Sequence, residues 1–242
     1  NMVGWFAASG APYAAEVCRR TPADRKGGHL VVRDGRLILR ETAQTPAGDL
    51  DAASDIDKHR YFHTNNLWFD LRVLADTLER NDGVLGLPLI RNQKTVDPTD
   101  PGSPKVIQIE TAMGAAVEVF DGAVAVEVPR SRFLPVKTTN DLLLLRSDVY
   151  ALDERGHVGL QVEHAPLIDL DPSYYKVIAG FDARFPAGPP SLVDAEALTV
   201  RGDWTFPAGV AVRGSARLDD PGSPSTVEAG VLGPRPGGPT EP

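Results

Sequence analysis

The apolar positions change period several times along this chain, and each change marks an element. Residues 2–9 are nearly all apolar or small and stop at Gly10, the pattern of a helix end. Tyr13 to Arg19 reads as a strand with Ala and Val on a buried face. Leu30-Val31-Val32-Arg33 and Arg36 to Glu41 flank Asp34-Gly35, and Asp-Gly between apolar runs predicts a hairpin. Residues 46–57 are acidic and polar, a surface loop or short helix. Tyr61-Phe62-His63 predicts a short strand delivering Thr64-Asn65-Asn66 to its end. Leu67, Leu71, Leu74, Ala75 and Leu78 then follow helical spacing through Arg80. Leu87 to Ile90 is short and extended, and Asp97 to Pro104 is an exposed turn rich in Pro, Gly and Asp. Val106 to Ile109 predicts a strand, Glu110 to Phe120 an amphipathic helix, and Ala123 to Val128 a further strand. Strand, helix and strand in that order predict a parallel α/β sheet. Helices over 140–149 and 173–184 complete it.

The texture changes at Ser191. Leu198 to Phe206 and Val210 to Ala216 are short alternating strands, each expected to end in a Gly turn, the rhythm of a β-helix or small solenoid. Two such rungs must lean on the rest of the fold. Residues 221–242 are dominated by Pro and Gly with little to bury and are expected to be disordered. The expected division is therefore 1–190, 191–220 and 221–242.

Charge narrows the function classes. The 242 residues carry a formal net charge of −8, which argues against a general nucleic-acid binder. Local basic clusters at Arg19, Arg20, Arg25 and Lys26, and at Arg130, Arg132 and Lys137, still suit a small phosphorylated ligand. Cys18 is the single cysteine, so no intrachain disulfide forms, and a reducing, cytoplasmic setting is the natural one. No apolar run approaches the roughly 18 residues of a membrane span. The first residues show no secretory-leader pattern. They read like the middle of a helix, and the protein is expected to begin upstream of Asn1.

Candidate chemistry centres on Val128 to Asn140. Pro129 and Pro135 fix their own torsions and push the residues before them out of helix geometry, giving an ordered connector. It carries Arg130, Arg132 and Lys137. The apolar run Leu142 to Leu145 follows, with Thr138, Thr139 or Asn140 as helix cap. Lys137 beside a helix N-terminus makes a phosphate seat. The alternative is a loop whose cations pair with carboxylates. Gly27-Gly28 permits positive φ and close approach of the backbone to a ligand, or is only a turn. His29, His59, His157 and His164 lack metal-ligand spacing and read as surface or capping residues. Trp68 and Phe69 read as core.

Five stretches taken together resemble the eukaryotic-type UDP-glucose pyrophosphorylase family. They are Arg25-Lys26-Gly27-Gly28, Glu41-Thr42-Ala43-Gln44, Phe62 to Trp68, Ile109 to Ala116, and Arg130-Ser131-Arg132-Phe133-Leu134-Pro135-Val136-Lys137. Their order and spacing match from about residue 10 to about residue 218. The resemblance implies a partial Rossmann-like nucleotidyltransferase domain, α/β in class, followed by a left-handed β-helix. It implies UTP and glucose 1-phosphate as substrates and Mg²⁺ as cofactor. It makes Lys137 the residue that contacts the nucleotide phosphates, and places Gly27, Gly28, Glu41, Asn65 and Asn66 at the sugar. A homo-oligomer joined through the β-helix is part of the same picture.

Two departures stand out. His63 occupies a position where the family usually has Asn. The family's Gly-rich nucleotide loop and metal-binding Asp are expected upstream of these residues. An N-acetylhexosamine pyrophosphorylase relative, or an inactive fragment serving as a sugar-binding or assembly module, remain the competing readings.

Overall fold

A computed structural model describes residues 2–24, 27–41 and 44–234, which separate into two units, Asn1–Phe133 and Leu134–Pro242. The boundary expected near residue 190 falls inside the second unit. Arg25, Lys26, Thr42 and Ala43 of the sequence motifs lie outside the described residues, as do residues 235–242 of the tail.

The first unit runs α1 (Met2–Ser9), β1 (Tyr13–Arg19), β2 (His29–Arg33), β3 (Arg36–Arg40), α2 (Leu50–Ala53), β4 (Tyr61–Phe69), α3 (Leu71–Arg80), β5 (Leu89–Thr95), β6 (Lys105–Thr111) and β7 (Val124–Glu127). β1 is buried from Tyr13 through Cys18 because it is the middle strand of three, antiparallel to β4 and parallel to β7. Tyr13 and Ala15 pack on Leu39, Phe120 and the Ala115–Val117 turn, while Cys18, Phe62 and Val128 form a second apolar cluster. The β2–β3 hairpin forms as expected, with Asp34 and Gly35 both at positive φ (52° and 78°), the geometry a two-residue type I′ turn requires.

Three expectations in this unit are corrected. β4 does not stop at His63 but continues to Phe69, because Leu67, Trp68 and Phe69 pair with Ala15, Ala14 and Tyr13. Helix α3 begins only at Leu71, where the Asp70 side chain accepts from the Arg72 amide at 2.9 Å. The helix expected over Glu110 to Phe120 is absent: β6 extends to Thr111, and a 3₁₀ turn over Met113–Glu118 buries Gly114 through Val117 in succession. Strand β6 pairs antiparallel with β5 in a separate two-stranded ribbon, so among the described residues of this unit the only parallel pair is β1 with β7.

The second unit contains α4 (Thr139–Arg146), β8 (Tyr150–Leu152), β9 (Val158–Leu160), β10 (Leu167–Leu170), α5 (Pro172–Tyr175), α6 (Ile178–Arg184), β11 (Ser191–Val200), β12 (Trp204–Thr205), β13 (Val210–Leu218), β14 (Ser225–Thr226) and β15 (Gly230–Leu232). The single helix expected over 173–184 is two, because Val177 is extended (φ −92°, ψ 136°) and restarts the chain as α6. Strands β10, β11, β13 and β15 form an all-parallel sheet in that order, and β12 pairs in parallel with β14. Leu192, Leu198, Val200, Phe206 and Val212 are buried against Leu143, Tyr175, Phe181 and Phe185, so the rungs do lean on helices, those of their own unit. Gly214 lies within β13 rather than ending it. Residues 221–234 are not disordered: they supply β14, β15 and the buried Val227.

Candidate functional site

The strand pair β1–β4 carries the most unusual local feature. Ala15 faces Leu67 and Val17 faces His63, so Glu16 alone opposes Thr64, Asn65 and Asn66. Three residues against one make a special bulge, larger than the usual two-against-one kind, which re-aims side chains out of the ladder. Asn65 sits at φ 63°, a left-handed conformation that Asn tolerates better than most residues. Side chains replace the missing ladder bonds. The Thr64 hydroxyl donates to the Glu16 carbonyl at 2.8 Å, and the Asn66 amide N–H donates to Thr64 Oγ1 at 3.2 Å. The Asn65 N–H donates to His63 Nδ1 at 3.2 Å. Asn65 and Asn66 are thereby held exposed at a mid-strand bulge, not at a strand end.

The glycine pair lies against this bulge. The His63 N–H donates to the Gly28 carbonyl at 3.0 Å. A Cβ on Gly28 would lie 2.7 Å from a Glu41 carboxylate oxygen, and one on Gly27 (φ 140°) would run into the Phe62 ring. Gly27 therefore disfavours a side chain for backbone as well as packing reasons, and Gly28 for packing against Glu41 alone. The structure thus brings Gly27, Gly28, Glu41 and the Phe62–Asn66 segment together. His63 is buried, and burial pushes its pKa down to about 4, so the ring is neutral. Since Nδ1 accepts, the proton resides on Nε2, which has no hydrogen-bond partner among the described residues. Its ring rests on Gly114, where a Cβ would approach within 2.8 Å.

Glu16, which the sequence reading passed over, is fully buried beneath the bulge. Arg132 donates to both of its carboxylate oxygens at 2.9 Å, Trp68 Nε1 donates at 2.8 Å, and Asn66 Nδ2 makes a longer contact at 3.4 Å. The Arg132 bonds, ahead of the others, hold this carboxyl below its usual range despite burial. Asp24 is the second buried carboxylate. It accepts from Arg130 at 2.6 and 3.2 Å and from the Thr21 N–H and hydroxyl at 2.9 and 2.7 Å. Burial pushes its pKa up, but Arg130 and Thr21 together outweigh it and hold the carboxyl down. Two of the three cations expected to seat a phosphate, Arg130 and Arg132, are therefore paired with carboxylates. Trp68 lies on a strand rather than opening a helix, with its indole N–H spent on Glu16.

Lys137 belongs to the second unit and is exposed, just before α4. The anion seat expected at this helix start is filled from within. One Asp141 carboxylate oxygen accepts from the N–H groups of Lys137 and Thr138, at 2.9 and 2.8 Å, and from the Thr138 hydroxyl at 3.0 Å. Thr138 is the cap residue. One further expectation changes: His29 is buried rather than at the surface, and it stacks on His59 with ring centroids 4.3 Å apart. Burial, then His59, Arg20 and Arg40, push the His29 pKa down to about 4. Around His157 it is Asp153 that caps the turn, accepting from the Arg155 and His157 N–H groups at 2.8 Å, with His157 Nδ1 3.0 Å from its other oxygen. Among the described residues no group of three His, Cys, Asp or Glu side chains could hold a metal ion.

Comparison with known proteins places this geometry in context. Residues 1–213 match the family model for UTP–glucose-1-phosphate uridylyltransferase. The chain is 42% identical over 210 residues to the enzyme of that name from Solanum tuberosum, covering 85% of this chain and 42% of the relative. Among solved structures it resembles UDP-glucose phosphorylase from Trypanosoma brucei, with TM-score 0.88 and 45% identity over 96% of this chain and 51% of that one. It also resembles a variant of UDP-glucose pyrophosphorylase from Leishmania major in complex with UDP-glucose, with TM-score 0.82 and 42% identity over 95% of this chain and 52% of that one. The chain thus spans about half the length of the relatives it matches.

Proposed function

The chain belongs to the UTP–glucose-1-phosphate uridylyltransferase family, and from that premise we propose that the protein transfers a uridylyl group from UTP to glucose 1-phosphate. A phosphate oxygen of the sugar phosphate attacks the α-phosphorus of UTP. The new phosphorus–oxygen bond forms as the bond to the β-phosphate oxygen breaks, giving UDP-glucose and pyrophosphate. The nucleophile is already ionised, so the reaction needs no general base. It needs positioning and neutralisation of developing oxygen charge.

The observation that carries this reading is the gathering of Gly27, Gly28 and Glu41 against the bulge that presents Asn65 and Asn66. Glu41 accepts hydrogen bonds from sugar hydroxyls, and the two amides both donate and accept. An epimer with one hydroxyl reversed leaves a polar group unpaired, which is how such a site discriminates. Gly28 keeps the space beside the Glu41 carboxylate clear. Lys137 supplies the positive charge for the nucleotide phosphates. The described residues offer no ligand set for the magnesium ion that the resemblance implies, so no step is routed through it. The two parallel ladders of the second unit support a β-helix, whose left-handedness and role in joining copies of the chain belong to the same proposal. No helix among the described residues is long and apolar enough to cross a membrane, and the single cysteine supports a cytoplasmic setting.

The test is pyrophosphate release from UTP with glucose 1-phosphate, beside the same assay with N-acetylglucosamine 1-phosphate. Faster turnover of the amino sugar moves the protein to the N-acetylhexosamine branch, and no release from either makes it a non-catalytic module. Lys137→Ala is expected to lower kcat by about 10²–10³-fold, the usual effect of removing one group that stabilises transition-state charge. Near-normal turnover removes Lys137 from the mechanism.

A further inference from the structure

Glu16 is costly to bury and is not explained by stability. A buried carboxylate and its arginine stabilise a fold little more than apolar side chains of the same volume would, and often less. Yet β1 places this carboxylate at zero exposure in a strand whose other buried residues are Tyr, Ala, Val and Cys. Each of its acceptor sites is directed at a donor of the bulge or its surroundings. Arg132 takes both oxygens in a fork, Trp68 adds its indole N–H, and the Asn66 amide reaches the oxygen that Arg132 Nε also uses. The main-chain carbonyl of the same residue accepts from Thr64. One residue thus grips both the first and the last member of the three-residue bulge, leaving Asn65 between them in its left-handed conformation.

We infer that Glu16 is a positioning residue for the sugar-phosphate site, holding the bulge from beneath so that the Asn65 and Asn66 amides meet the sugar at a fixed angle. The inference rests on the proposed assignment of those amides to the sugar and adds what orients them. Only the ionised carboxylate serves all four donors, since an ionised carboxylate is acceptor-only. A glutamine would turn an NH₂ group toward Arg132 or Trp68 and leave a donor facing a donor. The amides then lose their fixed direction, while the polypeptide keeps its shape. A contact of this kind acts on the bound sugar equally in ground and transition states, so its loss appears in KM and not in kcat.

The experiment is steady-state kinetics of Glu16→Gln, varying glucose 1-phosphate and UTP in turn. The expected result is a KM for glucose 1-phosphate raised about tenfold, as for loss of one charge-assisted hydrogen bond, with the KM for UTP and kcat within about twofold of wild type. A merely structural carboxylate gives the opposite pattern: a lower active fraction, hence a lower apparent kcat with both KM values unchanged, and that result overturns the inference. Should Glu16→Gln fail to fold, Trp68→Phe removes one of the four bonds while keeping an aromatic ring. It is expected to raise the sugar-phosphate KM about threefold, as for loss of one neutral hydrogen-bond donor, and an unchanged KM overturns the inference. The wild-type control separates the two proposals. No turnover of any sugar phosphate sinks the proposed function and this inference with it, whereas wild-type turnover with an unchanged KM in the variants sinks the inference alone.

Discussion

Acidification offers a quantitative check on the first unit, because two of its imidazoles are buried uncharged. His63 and His29 are 5% and 2% exposed, and each is pushed from an ordinary value of 6.5 to about 4. For His63 the cause is burial alone. For His29 burial leads, and the neighbouring His59, Arg20 and Arg40 add to it. A ring that binds its proton more weakly in the folded chain than in the unfolded one favours unfolding as protons become available. Its contribution to stability is therefore complete above pH 6.5 and is lost progressively between 6.5 and about 4. Between pH 7 and pH 5 each ring then removes about 2 kcal/mol, and the two together about 4 kcal/mol. The buried carboxylates of Glu16 and Asp24, both held below their usual range, keep their charge over this interval and enter only at lower pH. Urea unfolding at pH 7, 6 and 5 measures the loss. His59, whose proton affinity is also lowered, adds to the same loss, so His63→Asn, which removes one ring, is expected to cut the difference between pH 7 and pH 5 by about 2 kcal/mol. A wild-type stability that is flat over this range, or a difference that His63→Asn leaves unaltered, refutes the reasoning.

Three further outcomes follow from local geometry. Gly28→Ala places a methyl group 2.7 Å from the Glu41 carboxylate. Since the φ of Gly28 is not in the left-handed region, the expected effect is displacement of Glu41 with a melting temperature within a few degrees of wild type and, under the proposed function, about tenfold weaker use of glucose 1-phosphate. Asn65→Gly keeps the positive φ without cost, whereas Asn65→Ala strains it by about 1 kcal/mol. Thermal unfolding should therefore rank the alanine variant below the glycine one, and equal melting temperatures would mean that the bulge relaxes. Asp141→Ala removes the acceptor for two N–H groups at the start of α4. It should cost about 1 kcal/mol in urea unfolding, the usual value of a lost cap.

What could be read from the sequence was what the sequence decides locally. Asp34-Gly35 sets its own turn, and Tyr13 to Arg19 is apolar enough to be a buried strand wherever it pairs. The Thr64–Asn66 bulge could not be read, because its three-against-one register exists only opposite Glu16, some fifty residues earlier. A weak signal for Glu16 was present: a lone carboxylate inside an otherwise apolar strand asks for partners. The helix expected at Glu110 to Phe120 failed because Glu110 and Thr111 are drawn into the ribbon with β5, a pairing that overrides helical spacing. The partners of Arg130 and Arg132 lie 106 and 116 residues away in the chain, beyond any local pattern. For the motif proposed to face the sugar, the sequence named the residues that the fold gathers, but not the buried carboxylate of Glu16 beneath them.

The parallel sheet of the second unit tapers. Its inner strands β11 and β13 have 10 and 9 residues, while the outer strands β10 and β15 have 4 and 3. A short outer strand offers an incoming backbone few open N–H and C=O groups, one of the ways natural sheets resist sticking to one another. Short outer strands thus leave the described sheet little edge on which a further parallel layer could form.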